Sequence, residues 1–268
     1  MAAELVFQKR SKLLGAFTDS WIMIRRSSTH IIRNTDQLLG TFFQPIMFLV
    51  LFSSVFGGSI SKALPPGIPY LDFLMAGIIV QTVAFGSTTT AVAICNDLQR
   101  GIIDRFRSLP MSNLAVMNGH VISDLLRNSM STIVMLLAGL VIGFRSHASF
   151  LEWLMIAGIL LLFTLAFSWL AAIVGVVAKS VEAVQWLSFV IVFPLTFASS
   201  AFTPTDGMNR YLKAFAENQP ISQVIEAVRA LILNQPLGNH GWLAVLWSLV
   251  MLAIAVPVAT YLFSRKSR

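Results

Sequence analysis

The charged stretch 97–112, DLQRGIIDRFRSLPMS, holds the residues of this chain that are best suited to binding another protein. If the stretch is helical, its large apolar side chains share one face and most of its charges share the other. The apolar face comprises Leu98, Ile102, Ile103, Phe106 and Leu109, and the charged face comprises Asp97, Arg100, Asp104, Arg105 and Arg107. Pro110 then ends the helix, because it has no N–H to donate and disfavours helical geometry at the residue before it.

Two interpretations of this amphipathic helix are open. In one, its apolar face occupies a groove on a cytoplasmic partner, and the helix carries force from that partner to the membrane spans on either side. In the other, its apolar face simply lies on the membrane surface.

No motif in the sequence indicates an enzyme. There is no GxxxxGKS/T loop for nucleotide phosphates, and no HExxH, CxxC or GxSxG pattern. The four histidines are scattered, and a single cysteine, Cys95, provides neither an internal disulfide nor a metal cluster. We therefore expect no catalytic residues, no metal site and no cofactor on this chain.

The composition is that of a polytopic helical membrane protein. Of the 268 residues, 56% are hydrophobic and 12% are charged, and the mean hydropathy is +0.76. Soluble domains average about 25% charged residues. Six apolar runs predict membrane-spanning helices at 38–60, 71–94, 114–144, 151–177, 183–202 and 242–263. The cationic residues that give the net charge of +7 concentrate at the ends of these runs. This distribution indicates a role in membrane topology rather than in nucleic-acid binding.

The distribution of Lys and Arg predicts the orientation. Thirteen of these nineteen residues lie on the side that holds both chain ends, the stretch 96–113 and Lys179, and five lie on the other side. The positive-inside rule therefore places both termini in the cytoplasm. The pattern of residues 1–37 predicts a basic amphipathic helix in contact with membrane lipids. It also fits a charged tail that sets the membrane topology, and the two interpretations are compatible. They contain no signal-peptide core, so we expect an uncleaved plasma-membrane protein.

Asp124 and Arg127 are an ionisable pair within the predicted third span. They lie three residues apart on one helical face, where they can pair with each other. The apolar run is longer than a bilayer requires, so we expect its first two turns to stand in the cytoplasm and the pair to lie near the inner membrane boundary. A structural ion pair and a transport site are both open interpretations.

The segment 203–241 interrupts the apolar pattern with two shorter amphipathic helices on the external side. Their apolar faces comprise Met208, Tyr211, Leu212 and Phe215, then Ile221, Val224, Ile225, Val228, Leu231 and Ile232. Their charged residues, on the opposite sides, are Arg210, Lys213, Glu217, Glu226 and Arg229. Neither helix is long enough to span a membrane, so we expect both to lie at the interface or to dip into it.

Two segments carry a resemblance to a known family. RGIIDRFRSLPMS resembles the first-cytoplasmic-loop motif of type-2 ABC transporter permeases, through Gly101, Asp104, Arg105, Arg107, Leu109 and Pro110. FTPTDGMNRYLKAFAENQPISQVIEAVRALIL is similar to the family's segment before the last span, through Pro204, Gln219, Pro220 and Arg229. The resemblance covers essentially the whole chain and is closest to the daunorubicin-resistance permease group. Asn209 departs from it, since relatives often have Pro there.

The resemblance implies an all-α polytopic fold, in a single domain over 1–268. It implies six transmembrane helices, an N-terminal interfacial helix (1–37), a cytoplasmic coupling helix (96–113) and short re-entrant-like external helices (203–241). Residues Arg100, Gly101, Ile102, Ile103, Asp104, Arg105, Phe106, Arg107, Leu109 and Pro110 would contact an ATPase. Tyr211, Phe215, Pro220 and Arg229 would belong to the external helices.

The implied function is that of a permease subunit in an ATP-driven exporter of a drug, an antibiotic or a lipid-like compound. The expected partners are two copies of an ABC ATP-binding subunit, which hold the ATP and Mg²⁺, and a second permease chain, identical or different. A non-transporting regulatory or scaffold subunit and a permease for a lipid-linked glycan are the alternatives. The spans carry no ring of polar residues, which argues against a channel.

A substrate path is expected on the faces of spans 1, 2 and 5 that meet the second permease chain. The candidate residues are Phe42, Phe43, Gln81, Phe85, Phe193, Phe197 and Phe202. Aromatic side chains suit flat amphipathic ligands, but they are equally common in cores and on lipid-facing surfaces.

Overall fold

The computed structural model describes residues 35–65, 67–101 and 113–266, and within them the side chains of 43–65, 67–101 and 117–266. The predicted interfacial helix at 1–37 therefore lies almost wholly outside the described residues. The described ranges form nine α-helices and two short 3₁₀ turns, with no β-strand. The helices are α1 (Thr35–Ile60), α2 (Tyr70–Gly86), α3 (Thr88–Gln99), α4 (Asn113–Ile142), α5 (Phe150–Val177), α6 (Val181–Phe197), α7 (Arg210–Asn218), α8 (Pro220–Ile232) and α9 (His240–Lys266). The prediction of an all-helical fold is confirmed.

Five helical segments in the described ranges are long and apolar enough to cross a membrane: α1, α2 together with α3, α4, α5 and α9. The fifth predicted span, 183–202, is helical only as α6, which has 17 residues and contains Pro194. That length falls short of the about 20 residues that a span requires. The chain leaves the helix at Ala198, so the exact number of spans stays a prediction.

The core lies around α2 and α5. Helix α2 is buried along nearly its whole length, because α1, α4 and α8 surround it. Helix α5 packs against α9, α3, α4 and α8. At Gly175 the backbones of α5 and α3 approach so closely that a Cβ would lie 2.4 Å from the carbonyl oxygen of Ala91. Small residues of this kind allow helices to pack closely in membranes.

Helix α8 is buried in the bundle. Pro220 occupies its first turn, where the missing N–H costs nothing. Both its apolar residues and Arg229 are then enclosed by α2, α5 and α9. Arg229, which was predicted to lie on the charged side of this helix at a membrane interface, is buried as well: only 4% of the residue is exposed. The reason is that its guanidinium has partners inside the bundle, which are described below.

Candidate functional site

The helix predicted over 97–109 is interrupted at Gly101. Helix α3 ends at Gln99, and Gly101 has a φ of 64°, a left-handed conformation that favours glycine and ends a helix. Leu98 belongs to α3 and packs against a buried cluster that includes Ile94 and Met117. A continuous helix from 97 to 109 is therefore wrong, and Gly101 was the signal for its end.

Only Arg100 and Gly101 of the predicted ATPase contacts fall within the described residues. The other eight, Ile102, Ile103, Asp104, Arg105, Phe106, Arg107, Leu109 and Pro110, lie outside them. Arg100 is exposed at the end of α3. Two contacts hold this end: Asp97 lies 3.2 Å from His120 of α4, and the Gln99 amide donates to the Lys179 carbonyl at 2.8 Å. Helix α3 thus leads from the bundle directly into the predicted coupling stretch.

Three of the predicted substrate-path residues come together. The Phe193 and Phe197 rings stack with their centroids 4.1 Å apart, and Phe197 lies 4.9 Å from Phe202. Phe202 in turn stacks on Phe52 of α1 at 4.4 Å. The row extends along both helices, and we call it the aromatic strip: Phe48, Phe52, Phe56, Phe189, Phe193, Phe197 and Phe202.

Of the remaining predicted path residues, those with described side chains do not join these ring contacts. Phe43 is 70% exposed, and the Phe42 side chain is outside the described residues. Gln81 is buried within α2, and Phe85 packs against the core. Sequence reasoning missed four members of the strip, Phe48, Phe52, Phe56 and Phe189. The signal in the sequence was the spacing: Phe48, Phe52 and Phe56 are four residues apart, and Phe189 lies four residues before Phe193. This spacing aligns side chains on one helical face.

Arg229 joins helix α8 to α2 and to the turn that follows α6. Its Nε donates to the Phe73 carbonyl at 3.2 Å and another nitrogen donates to the Ser200 carbonyl at 2.6 Å. Its ion pair with Glu226 measures 2.5 Å, and its guanidinium carbon lies 3.6 Å from the Phe73 ring centroid. In the same region the Tyr70 hydroxyl donates to the Phe202 carbonyl at 3.0 Å. This region thus anchors Phe202, the end of the aromatic strip.

The other external residues have different surroundings. Tyr211 and Phe215 of α7 are 86% and 48% exposed, so the apolar face of that helix is open in the described structure. Lys213, on the polar side, donates to Asp206 at 2.6 Å, and this hydrogen bond is the main cause of its raised pKa. The Gln219 amide donates to the carbonyls of Leu195 and Ala198, both at 2.8 Å, and so satisfies the end of α6.

The predicted pair of Asp124 and Arg127 is confirmed as an ion pair, and both residues are buried. Asp124 also accepts a hydrogen bond from Ser168 of α5. Arg127 donates to the Gly86 carbonyl at the end of α2, at 2.6 Å. The pair thus joins three helices. Among the described residues, no three His, Cys, Asp or Glu side chains lie close enough to hold a metal ion.

Comparison with known proteins gives the family. The model of the family described as "ABC-2 type transporter" matches residues 18–233. The chain belongs to this family. The family is one of membrane permease subunits, so the chain is a multi-pass membrane permease and not itself the energy-supplying enzyme of its class.

Similar proteins include permeases with drug-resistance names and permeases described only as transport permeases. The chain is 29% identical over 235 residues to the daunorubicin resistance ABC transporter permease protein DrrB1 of Streptomyces coeruleorubidus, covering 86% of this chain and 81% of that protein. It is 23% identical over 252 residues to the probable doxorubicin resistance ABC transporter permease protein DrrC of Mycobacterium tuberculosis, covering 89% and 86%. It is 25% identical over 213 residues to the putative transport permease ycf38 of Porphyra purpurea, covering 79% and 73%. The resemblance found in the sequence is confirmed.

Proposed function

We propose that this ABC-2 permease moves a hydrophobic or amphipathic compound out across the plasma membrane, with its termini in the cytoplasm. The observation that carries the proposal is the family match over 18–233, together with drug-resistance permeases among the similar proteins. The chain has no Walker A loop, so the energy must come from a partner. That partner is an ABC ATP-binding subunit in two copies, which holds ATP and Mg²⁺.

The contact with the ATPase is the stretch from Arg100 to Pro110. Its apolar residues, such as Ile102 and Phe106, dock in a groove of the ATPase, and the arginines meet acidic groups on the rim. The position of Arg100 at the exposed end of α3 supports this arrangement, because a force applied there acts directly on a membrane helix. ATP binding closes the two ATPases and shifts the spans where two permease chains meet.

The aromatic strip is the proposed substrate path. Its rings lie along α1 and α6, and the exposed fractions of Phe56 and Phe193 are 39% and 38%. Partly exposed, mutually stacked rings present flat apolar surfaces to a ligand, and such contacts suit planar amphipathic compounds. A second permease chain, identical or different, would cover this side and close the path.

The proposal is tested with the permease and its ATPase reconstituted in vesicles. Efflux of a fluorescent amphipathic drug such as daunorubicin should require ATP. The variants Phe106→Ala and Arg105→Ala should reduce co-purification of the ATPase, whereas Phe150→Ala, at an 88% exposed position on α5, should not. Efflux that is equal without ATP would indicate a channel. An ATPase that binds and hydrolyses ATP without any efflux, across a panel of compounds, would indicate a scaffold subunit.

A further inference from the structure

The second membrane span is broken at Ser87, a fully buried residue. The Thr90 N–H donates to the Ser87 carbonyl at 3.1 Å, although an α-helix would pair it with Gly86. The Gly86 carbonyl accepts instead from the Thr89 hydroxyl at 2.9 Å and from the Arg127 guanidinium at 2.6 Å. A helix bends most readily where its backbone ladder is interrupted in this way, so the junction of α2 and α3 is a candidate hinge.

A buried chain of polar groups closes around this hinge. From the Gly86 carbonyl it runs through Arg127 to Asp124, and from Asp124 to the hydroxyl of Ser168 on α5. The Ser168 hydroxyl also lies 3.4 Å from that of Ser87, which donates its own proton to the Val83 carbonyl at 3.0 Å, so the two hydroxyls are in polar contact beside the break. We call Ser87, Asp124, Arg127 and Ser168 the latch. None of the four is more than 5% exposed, so these contacts act in a medium of low dielectric, where they are strong.

The polar groups beside the latch are incompletely paired. Within the described residues, the Nε of Arg127, the amide of Asn128 and the hydroxyl of Thr90 are buried without a protein hydrogen-bond partner. The Asn128 amide packs directly on Gly86, where a Cβ would lie 2.0 Å from the amide oxygen. Unpaired buried groups raise the free energy of the arrangement that contains them. These unpaired groups therefore lower the free-energy cost of moving the helices away from this arrangement.

The hinge lies between the two regions that the proposed function must connect. On the proposed cytoplasmic side, α3 ends at Gln99, and the chain continues through Arg100 into the proposed ATPase contact. On the external side, Tyr70 of α2 donates to the Phe202 carbonyl, at the end of the aromatic strip. Gly77 of α2 also packs on the backbone of Ala201, where a Cβ would lie 2.1 Å from the carbonyl oxygen. A movement of α3 reaches the aromatic strip only if the junction of α2 and α3 passes the movement on to α2 and does not simply bend.

We propose that Arg127 is a positioning residue that sets the angle between α2 and α3, and that the latch passes movement of α3 to the aromatic strip. The inference rests on the proposed function, because it takes α3 to be the helix that the ATPase moves. With the latch closed, α2 and α3 move as one rod. With it open, α3 moves alone and ATP hydrolysis is no longer converted into efflux.

The first test measures the coupling of hydrolysis to efflux in vesicles that contain the complete transporter. The double variant Asp124→Asn/Arg127→Gln removes both charges, so it leaves no buried charge unpaired. We expect it to lower the number of drug molecules exported per ATP by about tenfold, a typical size for a coupling effect. Co-purification of the ATPase and basal ATP hydrolysis should stay unchanged. Efflux and hydrolysis that fall in the same proportion, or that both stay unchanged, would overturn the latch.

A milder variant guards against misfolding of the double variant. Ser168→Ala removes one hydrogen bond of the latch and should shift the same ratio in the same direction. Thr164→Val on the same helix is the matched control, because the Thr164 hydroxyl bonds the Leu160 carbonyl of its own helix. An equal effect of the two substitutions would assign the loss to general packing and overturn the proposal.

A second measurement separates the latch from the proposed function. Hydrogen exchange of peptides covering 84–92 reports opening of the backbone at the break. We expect ATP to change this exchange in the wild-type complex, and the double variant to abolish that response and to exchange faster. Absence of any ATP response in the wild type overturns the latch. A wild-type complex that shows the response but exports nothing overturns the proposed function and leaves the latch intact.

Discussion

At the scale of single residues, Arg229 shows how a charge becomes part of a membrane-protein core. Its guanidinium has the carbonyls of Phe73 and Ser200, the carboxylate of Glu226 and the face of the Phe73 ring as partners. A buried charge is tolerated only when it is paired and hydrogen-bonded in this way. The residue is therefore a structural tie between α8 and α2.

Replacing Arg229 tests this role. Arg229→Ala removes the side-chain donor to the Phe73 and Ser200 carbonyls and leaves Glu226 without its cation. We therefore expect a loss of stability of about 3–5 kcal/mol, the cost of breaking a buried pair. Thermal unfolding of the purified permease in detergent measures the loss. The control is Arg210→Ala, because Arg210 is exposed at the start of α7. Equal midpoints for the two variants would contradict the assignment.

At the scale of elements, the contact between α3 and α5 depends on the absence of a side chain at Gly175. A Cβ there would lie 2.4 Å from the Ala91 carbonyl oxygen, which is backbone and cannot rotate away. Gly158 of the same helix has no atom within 4 Å of a Cβ. Gly175 therefore has no room for a side chain, whereas Gly158 on the same helix has room for one.

The substitutions Gly175→Ala and Gly158→Ala should differ accordingly. Gly175→Ala should destabilise the permease by about 1–3 kcal/mol through overpacking. Gly158→Ala should be neutral or stabilise by up to about 1 kcal/mol, because alanine favours the helix. Denaturation midpoints of both variants in one detergent give the comparison. A destabilising Gly158→Ala with a neutral Gly175→Ala would show that the α3–α5 approach is not as described.

The aromatic strip is a second feature at this scale, since it joins α1 to α6 through ring contacts. Phe197 lies at its centre, 4.1 Å from Phe193 and 4.9 Å from Phe202. If the strip binds the compound, Phe197→Ala should weaken the apparent affinity for an aromatic compound by about two- to tenfold, because one ring contact contributes about 0.5–1.5 kcal/mol. Concentration-dependent ATPase stimulation gives the affinity, with Phe150→Ala as the exposed control. Unaltered affinity for every compound would exclude the strip as the path.

At the scale of the whole molecule, the orientation in the membrane can be tested with the chain's single cysteine removed. Because Cys95 is the single cysteine, Cys95→Ser provides a background without thiols. In that background, Asp206→Cys lies in the segment predicted to be external and Lys179→Cys in the turn predicted to be cytoplasmic, and both positions are exposed. A membrane-impermeant maleimide should label Asp206→Cys in intact cells and Lys179→Cys only after permeabilisation. The reverse pattern would invert the topology.

Several local features could be predicted from the sequence because they depend on neighbours in the chain. Apolar runs predicted the helices, Pro220 marked the start of α8, and the spacing of Asp124 and Arg127 predicted their ion pair. The continuous helix across Gly101 was wrong for an equally local reason, since a glycine with positive φ ends α3. The length of α6 leaves the fifth predicted span, and with it the count of six, open, because only 17 residues are helical.

By itself, the sequence of this protein determined the all-helical membrane class, the amphipathic faces and the absence of a Walker A loop, because hydropathy, helical period and motif content are properties of contiguous residues. Only the tertiary structure decided that Arg229 is buried, that Phe52 meets Phe202, and that Ser168 completes the contacts of Asp124. The residues that meet in these contacts are separated by tens of residues or more in the chain. Which of them meet depends on how the helices cross, and the periodicity of one helix carries no information about the register of another.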